Sequence, residues 1–200
     1  MKNNRFTAAT SALVLIDHQF GTMQLVKTLD LERVKRHTLA LARAARILGM
    51  PVVLTSSMEE YMQGPLLPEF ATIIPEAFAN RVKRAGIVNA WDDPNFKAAI
   101  LATKRRQLIM GGITTDVCLI FPALSAVAES FEVQAVLDIS GSPYELSEAA
   151  ARKRMELAGV QFTATNTIIA ELAQDWSTAE GGQLIQLLFQ DVLPPIALPT

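Results

Sequence analysis

Five consecutive apolar residues, Ala12-Leu13-Val14-Leu15-Ile16, stop abruptly at Asp17-His18-Gln19. A run with no polar alternation fits a strand covered on both faces, the usual position of a strand in a parallel sheet. Such a strand needs helices on either side, so helical periodicity should follow it. Between residues 31 and 48, apolar or small side chains recur at Leu31, Val34, Thr38, Leu41, Ala42, Ala45 and Leu48. Arg33, Lys35, Arg36, Arg43 and Arg46 fall mostly on the other face, and Gly49 and Pro51 close the segment.

The same alternation continues to the end of the chain. Residues 51–57 (PVVLTSS) read as a second strand, and Gly64, Pro65 and Pro68 mark the segment after it as a loop able to cover a site. Asp93-Pro94 predicts a helix start, with Asp93 as N-cap and Pro94 in the first turn, running to about residue 102. Strands are expected at 107–113, 133–139 and 160–165, with helices at 116–130 and 143–158. Ser142-Pro143-Tyr144-Glu145 has the spacing of a capping box for the later helix. Short helices follow, and from about residue 191 an extended apolar tail is suited to docking on a neighbouring subunit. Neither a repeat nor a linker-like stretch divides residues 1–200, which are read as one domain. Strands alternating with helices predict a doubly wound α/β sandwich, helix layers covering both faces of a mostly parallel sheet.

Composition narrows the partners. A net charge of −2, with no block of like charges, lacks the basic footprint of a nucleic-acid or anionic-membrane binder. Half the residues are hydrophobic and mean hydropathy is +0.24, which argues against disorder and for surface buried between subunits. The apolar run 117–128 is too short to span a bilayer and contains Pro122. Lys2 and Arg5 precede an apolar stretch, as in a signal peptide, but Asp17-His18-Gln19 ends it without a small-residue cleavage pattern, so a cytoplasmic location is expected.

One cysteine excludes an internal disulfide and a multi-thiolate zinc site. Cys118 follows Gly111-Gly112-Ile113-Thr114-Thr115-Asp116-Val117, a strand end, a turn and a helix start. With Thr115 as N-cap, Cys118 falls at the third helical position, where free backbone N–H groups and the helix dipole favour a thiolate. The competing reading is a buried filler among Val117, Leu119, Ile120 and Phe121. Pro122 cannot donate to the Cys118 carbonyl and should distort the helix one turn later. Asp17, at the end of the first strand, is either a turn opener or a base for the thiol, and the amides of residues 114–118 are candidate oxyanion donors. Lys83 and Arg84 are candidate cations near the pair. His18 and His37 lack the spacing of a zinc pair, and no dinucleotide fingerprint, phosphate loop or serine elbow occurs, so no metal or cofactor is expected. Phe20 and Trp91 are candidate pocket walls for a small-molecule substrate, or ordinary core aromatics.

Three segments together resemble the isochorismatase-like cysteine hydrolases, most closely their YcaC-like branch: residues 14–19 (VLIDHQ), residues 84–91 (RAGIVNAW), and residues 111–118 with Phe121-Pro122-Ala123-Leu124-Ser125. The resemblance extends to about Phe189. It implies a parallel sheet of about six strands and a catalytic Asp–Lys–Cys set, with Asp17 as the aspartate and Cys118 as the nucleophile. The basic member falls on Arg84, a departure that limits it to electrostatic work because guanidinium does not exchange its proton. The family's non-proline cis peptide maps onto Ile113–Thr114, which would aim amides at the oxyanion. The metal set of the nicotinamidases cannot be assembled from His18 and His37, and isochorismate itself does not require a thiol. The resemblance therefore implies a metal-independent cysteine hydrolase of a small amide-like or related carbonyl compound. It also implies a homo-oligomer of up to eight copies. The alternative is a ligand-binding or structural oligomer that keeps the fold without turnover.

Overall fold

The computed structural model describes residues 5–196. Six strands, β1 (Ser11–Ile16), β2 (Val52–Ser57), β3 (Val82–Arg84), β4 (Gln107–Gly112), β5 (Glu132–Val136) and β6 (Gln161–Thr163), form one sheet in the order 3-2-1-4-5-6. Every neighbouring pair is parallel. The strand order reverses between β1 and β4, and in sheets of this topology ligands bind beyond the carboxyl ends of the strands at that reversal.

All six residues of β1 are buried, as its apolar run requires. Leu13, Leu15, Leu54 and Ile109 face one core, closed by the helices Leu31–Ile47, Thr165–Ala173 and Ala179–Asp191. Val14, Ile16, Leu108 and Met110 face the other, closed by Pro94–Ala102, Ile120–Ala128 and Glu145–Leu157. Each large aliphatic side chain so buried contributes roughly 1.5–3 kcal/mol of transfer free energy, the main reward for assembling three layers.

Local chemistry sets the helix limits. Asp30 caps Leu31–Ile47 by accepting the Arg33 amide, and Gly49 leaves that helix at φ 59°. Asp93 accepts the amides of Asn95 and Phe96, with Pro94 in the first turn, as the sequence predicts. Ser142, by contrast, caps nothing. Its carbonyl takes the amides of Lys27 and Thr28 while its own amide donates to Thr28 Oγ1, and the helix starts only at Glu145. The fifth strand ends at Val136 rather than 139, because Asp138 turns away to accept the amide and hydroxyl of Thr165 and to pair with His37.

The expected helix over 116–130 is two pieces, a π-helical turn Thr115–Leu119 followed by the α-helix Ile120–Ala128. Pro122 leaves the Cys118 carbonyl without its α-helical donor, and the irregularity sits at the thiol itself rather than one turn beyond it. At the other end, Ala179–Asp191 continues through the residue where the tail was expected to begin. Leu193 packs against this chain's own core, Ile196 is exposed, and residues 197–200 lie outside the described part. Among the described residues no helix is long and apolar enough to cross a membrane.

Candidate active site

Asp17 is the first residue beyond β1. Its amide donates to Thr55 O at 3.0 Å, extending the pairing with β2, while its carbonyl accepts Thr22 Oγ1 at 2.6 Å. The backbone there is left-handed (φ 57°), a conformation that aspartate tolerates better than most residues and that ends the strand sharply. The side chain is left 2% exposed at the topological reversal.

Arg84, the last residue of β3, is 3% exposed and reaches across β2 to Asp17. Its Nη2 donates to both carboxylate oxygens, Nε donates to Thr55 Oγ1 at 3.0 Å, and Nη1 donates to Ile87 O at 2.5 Å. Lys83, the other candidate cation, points away and pairs with Glu59 at 2.9 Å. The hydroxyl of Thr55 is held in turn by Val82 O, so the guanidinium lies in a prepared socket.

Cys118 approaches the same carboxylate from the β4 side. Its thiol lies beside Asp17, close enough for each group to shift the other's proton affinity, with the backbone of Thr114 next to the sulfur. Gly112 permits this approach, since a Cβ there would lie 3.1 Å from Leu119 N. The cap of the turn is Thr114 rather than Thr115, which places Cys118 at the fourth position instead of the third. The peptide between Ile113 and Thr114 is cis.

Of the amides considered as oxyanion donors, Thr115 N donates to Gly141 O and Val117 N to Thr114 O. Ile113 N is also spent, on Ile16 O at 3.1 Å.

Burial raises Asp17 above the usual carboxylate range, against the opposing pull of Arg84 through charge and hydrogen bonds. Burial also pushes the Cys118 thiol well above its ordinary value, and the neighbouring Asp17 charge adds to it. The expected low-pKa thiol is therefore not what the structure contains: shielding and an adjacent carboxylate outweigh the helix terminus. The resting arrangement is a thiol beside a carboxylate whose proton affinity is raised by burial.

The aromatic candidates separate. Phe20 is 66% exposed on the rim, whereas Trp91 is 3% exposed in the core, edge-on to Phe131 and Phe96, with its indole N–H on Glu129. His18 Nε2 contacts Ile139 O at 2.8 Å, and burial lowers its pKa to about 4, so it is neutral. His37 pairs with Asp138 far along the chain, and among the described residues no group of three potential ligands is placed to hold a metal ion.

Sequence reasoning missed Gln19 and Thr55. Gln19 fastens the covering loop, donating to Ser57 O and Gly64 O and accepting the Ser57 amide. Gly21 lets that loop close, since a Cβ there would sit 1.8 Å from Met62 O. Neither role has a periodicity signal, although Gln19 directly follows Asp17-His18. A groove of about 510 Å³, lined partly by Arg46, Met50 and Ile74, opens at the amino end of β2, the opposite edge from Asp17.

Residues 11–167 match the family model for the isochorismatase domain. The chain is 37% identical to the probable hydrolase YcaC of Escherichia coli over 184 residues, covering 92% of this chain and 86% of that protein. The structure of YcaC from Pseudomonas aeruginosa, described with hexane-2,5-diol and covalent acrylamide, superposes with a TM-score of 0.90 at 37% identity, covering 96% and 94% of the two chains. The Escherichia coli YcaC structure, described as an octameric hydrolase of unknown specificity, also gives 0.90, at 36% identity over 96% and 93%.

Proposed function

The chain belongs to the isochorismatase family, and from that premise we propose that it is a cysteine hydrolase of a small amide-like carbonyl compound, working without a metal through a thioester. The observation that carries this reading is the convergence of the Cys118 thiol and Arg84 on one buried carboxylate, Asp17, at the strand-order reversal. Asp17 takes the thiol proton as sulfur adds to the carbonyl carbon, and the amides of Thr114 and Cys118 receive the oxyanion. Collapse of the adduct breaks the C–N bond, and Asp17 returns the proton to the leaving nitrogen. Water, deprotonated by Asp17, then attacks the thioester; the carboxylic acid leaves and the proton goes back to sulfur.

Arg84 serves this cycle as a fixed positive charge, since it neither gains nor loses a proton. The covalent acrylamide on the Pseudomonas aeruginosa relative supports an amide-sized opening in this fold. The test is intact mass on rapidly quenched mixtures with small amides, carbamates and esters. An adduct with the mass of the acyl group alone is expected on Cys118. Turnover without such an adduct, under quenching that preserves thioesters, refutes the mechanism.

We also propose a cytoplasmic homo-oligomer, supported by the octamer described for the Escherichia coli relative and by the exposed apolar side chains Tyr61, Met62, Tyr144 and Leu146. Sedimentation should give a species several times the mass of one 21.8 kDa chain, and a monomer at all concentrations removes this part of the reading.

A further inference from the structure

The loops that follow β1, β2, β3 and β4 hold the reacting groups and the rim around them. Of the carboxylates on them, Asp17 is paired with Arg84 and Glu59 with Arg81 and Lys83, while Glu60 and Asp92 have no ion-pair partner among the described residues. Asp116 lies two residues before the nucleophile, and its Oδ1 is buried without a hydrogen-bond partner.

The positive groups beside these loops are already engaged. Arg84 directs Nε to Thr55, Nη1 to Ile87 O and Nη2 to both oxygens of Asp17, which leaves one Nη1 hydrogen on a side chain 3% exposed. Arg81 and Lys83 are both bound to Glu59. Among the described residues of these loops the remaining cation is Lys27, exposed at the far end of the first loop, where its amide donates to Ser142 O. The rim itself is apolar, with Phe20, Tyr61, Met62, Ile87, Val88 and Val117 all exposed.

A carboxylate-bearing substrate entering here meets the Asp17–Arg84 pair, whose charges offset one another and whose donors are nearly all spent, and a sulfur that becomes negative during reaction. Among the described residues no uncommitted ammonium or guanidinium is placed at the thiol to receive it. In a shielded site such repulsion is only weakly screened. An uncharged substrate needs only N–H donors for its oxygen, the role proposed for the Thr114 and Cys118 amides, and apolar contact for the remainder, which the exposed rim side chains supply.

Building on the cysteine-hydrolase reading, we infer that the site accepts small uncharged acyl compounds and rejects those carrying a carboxylate beside the reacting carbonyl.

The test uses the full-length chain and two alkylating reagents of similar size, neutral iodoacetamide and anionic iodoacetate. The single cysteine makes each adduct one mass shift, and each rate is divided by that of the same chain unfolded in urea. The folded chain should favour iodoacetamide over iodoacetate by at least about tenfold more than the unfolded chain does. Equal normalised rates overturn the inference while leaving the nucleophile reading intact, and failure of iodoacetamide to react with the folded chain overturns it as well. Asp17→Asn, checked for a native circular dichroism spectrum, removes a carboxylate and leaves the Arg84 charge unbalanced, so it should narrow the preference for iodoacetamide over iodoacetate. An unchanged preference in that folded variant overturns the inference. The wild-type ratio stands as a test even where the variant does not fold.

Discussion

Arg84→Met is expected to lower the free energy of unfolding by about 3–5 kcal/mol, because it leaves the buried Asp17 carboxylate without its countercharge. For a chain of this length that corresponds to a fall in Tm of roughly 10 °C, read by thermal melts monitored by circular dichroism. The lost contacts are specific: two hydrogen bonds to Asp17, one to Thr55 Oγ1 and one to Ile87 O. The effect should depend on pH with a definite sign. Burial already raises Asp17, and removing Arg84 takes away the largest opposing influence, so its folded pKa rises further above the unfolded value. The folded state then binds a proton that the unfolded state releases, and stability falls as pH rises through the folded pKa. The deficit of the methionine variant should therefore be smallest in acid and grow toward neutral pH. Adding Asp17→Asn to Arg84→Met should recover part of the loss, since a buried pair removed whole costs less than a pair broken. A Tm within about 2 °C of wild type at neutral pH would mean that solvent, rather than Arg84, neutralises Asp17.

The same residue shows where legibility in the sequence ends. β1 could be read because five apolar residues in a row admit few other structures, and Asp17 because a carboxylate directly after such a strand is needed for neither propensity nor packing. The helix Pro94–Ala102 was legible from Asp93-Pro94, a cap whose physics is entirely local. β3 had no such signal. It is three residues long, Val82-Lys83-Arg84, two of them charged, at the edge of the sheet. Its existence depends on pairing with Thr55, Ser56 and Ser57, so the residues alone offer both Lys83 and Arg84 as candidate cations, and it is the resemblance to a family that selects Arg84. Local rules misled at Ser142, where the capping-box spacing lost to tertiary hydrogen bonds with Lys27 and Thr28. At Trp91 they leave a pocket wall and a core aromatic equally open, and only the folded packing against Phe131 and Phe96 decides for the core. At Cys118 the pattern found the turn but not the electrostatics, because burial and the distance to Asp17 are properties of the folded chain.

Replacing Cys118 by alanine is expected to cost turnover about 10⁴-fold or more, the scale at which removal of a covalent nucleophile leaves only residual catalysis from binding and oxyanion donors. The size of the loss follows from the site's composition. With the thiol gone, the path left is direct attack by water with Asp17 as base, and water must replace a nucleophile otherwise fixed beside Asp17 by the covalent chain. The fold should survive, because Cys118 is half-buried at the margin of its core and alanine suits a helical turn. Affinity for the substrate should change little, which separates a chemical loss from a structural one: kcat falls while binding measured by calorimetry holds. Cys118→Ser tests the same point from the other side, since it keeps the shape and the place beside Asp17 but substitutes an oxygen whose proton Asp17 cannot readily take. If the serine variant turned over within about tenfold of wild type, sulfur would not be the attacking atom and Asp17 would be activating water directly. A chain that binds without turnover predicts a third pattern, with no hydrolysis in any of the three proteins and equal ligand affinity in all of them. The alanine and serine variants, assayed side by side with wild type, therefore distinguish a thioester enzyme, a water-activating enzyme and a binding protein built on one sheet.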